Sequence, residues 1–156
     1  MRRASALAVA LLGLSCKHLG LPPIQAAPPV SFHSSKPPKE ATQVAVISLT
    51  TAGFRVQQTD SVGQAIRASR TATHNGNEDY IVCDLPTGSA AAANRETTLI
   101  INFRASPGTT GSDVAIDSRV VTSYPGYAGT VMQSAPNQTD CVSKGVMERQ
   151  LQSALH

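Results

Sequence analysis

Six of the ten prolines in this 156-residue chain lie between residues 22 and 38: Pro22, Pro23, Pro28, Pro29, Pro37 and Pro38. Proline has no backbone N–H to donate, and its ring clashes with the preceding helical turn. Such a tract is therefore excluded from helix interiors and central strands. It divides the chain in two, and residues 40–156 must supply a core by themselves. Residues 16–39 are expected to form an extended, partly polyproline-like tether, rising about 3.1 Å per residue. Residues 40–156 suffice for one sheet and two helices in a single domain.

Ahead of the tract, Arg2 and Arg3 precede an uncharged, mostly apolar stretch at residues 4–14. A membrane-spanning helix needs about 20 apolar residues, so this stretch is too short to span. It has the length of a signal-peptide hydrophobic region, and residues 1–15 are expected to direct export.

The run Leu12-Gly13-Leu14-Ser15-Cys16 resembles the cleavage site of bacterial lipoproteins, in which a small residue precedes the cysteine that receives the lipid. Ser15 matches that pattern. Gly13 departs from it, because the family usually places Leu, Val or Ile three residues before the cysteine, and Leu14 is bulkier than usual. The resemblance implies acylation of Cys16 with three chains. A single chain holds a membrane only marginally, whereas two or more anchor stably. Lys17 rather than Asp then follows the lipid, which in a Gram-negative host implies the outer membrane. The alternative is cleavage near Ala26, leaving a soluble secreted or periplasmic protein. A cut after Ala27 is disfavoured because Pro28 would follow it.

The formal charge is +3, from 13 basic and 10 acidic residues. Removing Arg2 and Arg3 with the leader brings the balance to +1. The other arginines (Arg55, Arg67, Arg70, Arg95, Arg104, Arg119 and Arg149) form no run able to neutralise many phosphates. Nucleic acid is excluded as a partner, and Arg67 with Arg70 is expected on a solvated strand face.

The domain is expected to be α+β: an N-terminal helix, an antiparallel meander of about five strands and a C-terminal helix, with both helices on one sheet face. Residues 40–52 carry apolar positions at 41, 44, 45, 47 and 49. Gly53 then suits a left-handed helix end, with Phe54 as the hydrophobic contact beyond it. Alternation predicts strands over residues 54–59, 65–73, 79–85, 97–105 and 113–124. Leu99, Ile101 and Phe103 face one way on the strongest of them, and Val114, Ile116 and Val120 point inward on the next. Residues 74–77 (His-Asn-Gly-Asn) carry the clearest hairpin signal. Residues 107–111 form a second turn, and a short edge strand is expected at 130–133. Val142, Val146, Met147, Leu151, Ala154 and Leu155 form the apolar stripe of a helix over 142–155, capped by Asp140 or Ser143. The run Cys141-Val142-Ser143-Lys144-Gly145-Val146-Met147-Glu148 resembles the tail of small bacterial envelope lipoproteins of uncharacterised function, where it opens a final amphipathic helix.

With Cys16 assigned to lipid, Cys83 and Cys141 are left, and an even remainder in an exported chain predicts one disulfide. Patterns that carry chemistry are missing from the sequence: it has no Gly-x-Ser-x-Gly elbow, phosphate loop, His-Glu-x-x-His or EF-hand. His74 is best explained by its turn, and a turn also explains the oxygens of Asn75, Asn77, Glu78 and Asp79 better than a calcium site. Glu78, Asp79 and Asp84 cannot be assigned to one cleft wall, so no acid/base pair is supported. The expectation is a non-enzymatic domain with no cofactor and no metal, held to a membrane by its lipid and bound to another envelope protein. Tyr124 and Tyr127, which flank the turn at Pro125-Gly126, are the candidate interface, because tyrosine is enriched at binding surfaces.

Overall fold

The computed structural model describes residues 25–60, 64–73, 76–83, 95–125, 131–133 and 141–156. In chain order these form β1 (Val30–Ser34), α1 (Pro38–Thr51), β2 (Arg55–Thr59), β3 (Ala65–Thr73), β4 (Ile81–Cys83), β5 (Glu96–Gly108), β6 (Gly111–Pro125), β7 (Val131–Gln133), β8 (Cys141–Ser143) and α2 (Val146–Leu155). The class is α+β.

The antiparallel sheet has the order β1-β6-β5-β3-β2, with β7 also paired to β6. Its centre is the β5–β6 hairpin. Register runs unbroken from Glu96↔Ser123 to Gly108↔Gly111, leaving Thr109 and Thr110 as the two-residue turn. Gly111 has φ +119°, and a Cβ there would overlap the Ser34 carbonyl. Only glycine lets β1 lie this close to the hairpin tip.

Alternation decides what is buried. Leu99, Ile101, Phe103 and Ala105 of β5, Val114, Ile116 and Val120 of β6, and Ile66 and Ala68 of β3 fall in one cluster. That cluster also holds Ala41, Ala45 and Leu49 of α1 and Met147, Leu151 and Leu155 of α2. The intervening residues Arg67, Asn102, Arg104, Asp117 and Arg119 are exposed. On α1 the buried stripe is Ala41, Thr42, Ala45 and Leu49, while Ile47 is 66% exposed.

Pro38 opens α1, where a missing N–H costs nothing. The helix closes with the Phe54 N–H donating to the Leu49 carbonyl and the Gly53 N–H to that of Thr50, the paired bonds of a Schellman end. Arg70 locks this corner. Its guanidinium donates to the carbonyls of Ala52 (3.1 Å) and Gly76 (3.3 Å), and lies 4.9 Å from the Tyr80 ring centroid. Arg70 is therefore half-buried structural support, not a partner of Arg67 on a solvated face.

Three expectations are corrected. First, the chain joins the sheet at Val30, ten residues before Glu40. Val30 to Ser34 pair with Ile116 to Ser112 as an edge strand, which prolines on either side permit. Second, β3 does not pair with the strand that follows it. Its neighbour is β5, from Ala65↔Arg104 to Thr73↔Glu96. The strand expected over 79–85 is β4 alone, and it pairs with β8 in a separate two-stranded sheet. Third, α2 starts at Val146, because residues 141–143 are strand and Gly145 takes the left-handed conformation at φ 70°. Ser143 still serves the helix start: its Oγ accepts from the Gly145 N–H at 3.0 Å and donates to Glu148 Oε1 at 2.9 Å.

Candidate functional site

Because β5 is flanked on both sides, the exposed residues of three strands stand in register. Ala65, Arg104 and Ala115 form one row across the sheet, and Arg67, Asn102 and Asp117 the next. The alanines leave space beside the long side chains. The result is an open groove of about 440 Å³, which Pro29 and Asp60 also line.

Charge in this groove is unevenly satisfied. Asn102 Nδ2 donates to Asp117 Oδ2 at 3.4 Å, and Asp60 Oδ1 accepts from the Gln64 N–H at 2.7 Å. Among the described residues, neither Arg67 nor Arg104 has an ion pair or a side-chain hydrogen bond. The groove thus offers two free guanidinium groups, each with five donors in a planar fork suited to carboxylate or phosphate.

A second polar feature stands at the rim of the same face. His33 of β1 lies 3.1 Å from Asp113 Oδ1 through Nδ1 and 2.9 Å from the Thr110 carbonyl through Nε2. An acceptor at each ring nitrogen favours the protonated ring, in which both nitrogens donate. The Asp113 hydrogen bond and then the Thr110 carbonyl hold the His33 pKa above 6.5. Sequence reasoning passed over His33 because it lay in the presumed tether. The alternation Val30, Phe32 against Ser31, His33 was the available strand signal.

The expected site residues are distributed as follows. Cys83 and Cys141 are joined, facing each other across β4 and β8. The bridge thus clamps two strands, and β8 leads directly into α2. Tyr124 lies on β6 opposite Met132, well along the strand from the groove. Tyr127, Cys16, His74, Asn75 and Asp84 lie outside the described residues. Asn77 is buried, its Nδ2 donating to the Thr97 carbonyl at 3.0 Å, while Glu78 and Asp79 are exposed. Its side chain is therefore turned away from any surface cluster with them. His156 is exposed and stacks 5.3 Å from Phe32.

Among the described residues no three His, Cys, Asp or Glu side chains are grouped to hold a metal ion. No helix among them is long and apolar enough to cross a membrane. No protein-family model and no curated protein matches the chain.

Proposed function

We propose that this chain is an exported, membrane-tethered, non-enzymatic envelope lipoprotein, whose domain binds another protein or supports an assembly. In this reading residues 1–15 are the signal, Cys16 carries the lipid, and both helices cover one face of the sheet, leaving the other free for a partner. The observation that carries it is the Cys83–Cys141 bridge. It accounts for two of the three cysteines. That leaves Cys16 as the odd one, placed where a lipid acceptor belongs. A disulfide also suits an oxidising compartment outside the cytosol.

The early start of β1 sharpens the geometry. The spacer between lipid and domain ends at Pro29, not at residue 39. Thirteen residues (17–29) would reach about 40 Å at most, at 3.1 Å each. The domain would then sit close to the membrane, its groove beginning where the tether ends, at Pro29.

Growing cells with an alkyne-tagged fatty acid tests the proposal. Label is expected on the natural chain and on a C83S/C141S variant, and absent from Cys16→Ala. A natural chain without label would overturn the tethered reading in favour of a soluble secreted binding or inhibitor module.

A further inference from the structure

The groove's two arginines are spaced like the carboxylates of an extended acidic strand. Arg67 stands opposite Asn102, and Arg104 is two residues along β5 from Asn102. They are thus diagonal neighbours on one face, about 7–8 Å apart at Cα and somewhat closer at Cβ. In an extended chain, residues i and i+2 point the same way and lie about 6.6–6.8 Å apart. Acidic residues at alternate positions therefore repeat at close to the spacing of the two arginine Cα positions.

The surroundings select among anions. Ala65 and Ala115 flank Arg104, giving room for a chain to lie against the sheet. Asp60 and Asp117 also line the groove. They balance the two arginines in formal charge, so an occupant must place its carboxylates directly on the guanidinium groups rather than rely on a net attractive field. The carboxylates of this face already have partners: Asp113 holds His33, Asp117 accepts from Asn102, and Glu96 accepts from Ser123 Oγ at 3.5 Å. The free groups are cations: Arg55, Arg67, Arg104 and Arg119 have no ion pair among the described residues. What the groove offers to negative charge is the pair of guanidinium groups of Arg67 and Arg104, unpaired among the described residues.

We infer that the Arg67–Arg104 groove docks an acidic, extended segment of a partner protein, with alternate carboxylates on the two guanidinium groups. The inference rests on the protein-binding reading above and names where the partner sits and what it presents.

Titrating the full chain with the blocked peptide Glu-Thr-Glu-Thr-Glu, followed by amide chemical shifts, tests it. Saturable binding is expected, with the largest shifts at residues 65–67, 102–104 and 115–117. The R67Q/R104Q variant is expected to lose at least tenfold in affinity. R119Q, on the same face but outside the groove, is expected to lose less than twofold. Each variant keeps its disulfide and its melting temperature, because the substituted side chains are exposed. Three results would overturn the inference. One is equal loss in R119Q, which marks diffuse attraction. Another is equal binding of the Glu-Glu-Glu-Thr-Thr isomer, which removes the spacing argument. The third is preference for anionic phospholipid vesicles or inorganic phosphate over the peptide. A partner cross-linked in the native envelope but insensitive to R67Q/R104Q would leave the protein-binding reading standing and sink the groove.

Discussion

His33 Nδ1 of the edge strand lies 3.1 Å from Asp113 Oδ1, across the register pair that joins β1 to β6. The other ring nitrogen reaches the Thr110 carbonyl in the β5–β6 turn. One imidazole ring thus ties the first strand to the hairpin tip. Its pKa is raised above 6.5, chiefly by the Asp113 hydrogen bond. A group bound more tightly in its protonated form stabilises the fold fully below its unfolded pKa. That contribution is lost as pH rises through the folded value. Stability conferred by β1 should therefore decline from about pH 6.5 upward. An NMR titration of His33 should give a midpoint above 6.5 that falls in Asp113→Asn. A natural-chain midpoint at or below 6.5 would contradict the arrangement.

Reducing the Cys83–Cys141 bridge, or replacing both residues by Ser, should destabilise the domain. The closed loop spans 58 residues. The chain-entropy treatment gives about 4 kcal/mol for that length, within the usual ~2–5 kcal/mol cost of losing a native disulfide. Urea denaturation with and without reductant measures it. Hydrogen exchange should show β4 and β8 opening first, since among the described residues they pair only with each other.

Glu148 is 1% exposed, with Oε1 bonded to Ser143 and Oε2 without a partner among the described residues. Glu148→Gln keeps the Oε1 acceptor for Ser143 and puts an amide where Oε2 stands, so it should change stability less than loss of the Ser143 hydroxyl does. Ser143→Ala removes both the acceptor for Gly145 and the donor to Glu148. It should cost about 1–2 kcal/mol, the scale of a lost helix cap or a stranded buried polar group. Paired urea melts of the two variants separate these outcomes.

Gly111→Ala meets two penalties at once: a positive φ and overlap with the Ser34 carbonyl. The expected loss exceeds about 1 kcal/mol. It should be accompanied by weakened protection of Ser31 to Ser34 in hydrogen exchange. A variant as stable as the natural chain would contradict the close approach of β1.

Legibility in the sequence followed periodicity. Strands β3, β5 and β6 were readable because Ile66 and Ala68, Leu99 to Phe103, and Val114 to Val120 alternate over long runs. The disulfide was readable from cysteine parity. β1 was hidden because flanking prolines argue against strand, although an edge strand needs only one row of backbone bonds. The partner of β3 was misread because the turn signal at residues 74–77 is local, whereas strand pairing is decided by the longer β5. The start of α2 was misplaced because Val142 extends the apolar stripe, while Gly145 breaks the helix one residue before Val146. The groove was not legible at all. Arg67 and Arg104 are 37 residues apart in the sequence, and only the β3–β5 register makes them neighbours.

The central claim is a tether at Cys16 carrying a disulfide-closed domain. Intact mass and N-terminal fragmentation of the natural product, purified from cells without reductant, test it most directly. The account predicts a chain beginning at Cys16, bearing a diacylglyceryl and an amide-linked acyl group, with Cys83 and Cys141 oxidised. A chain that retains Met1, or one that begins unmodified near Ala27, would contradict it.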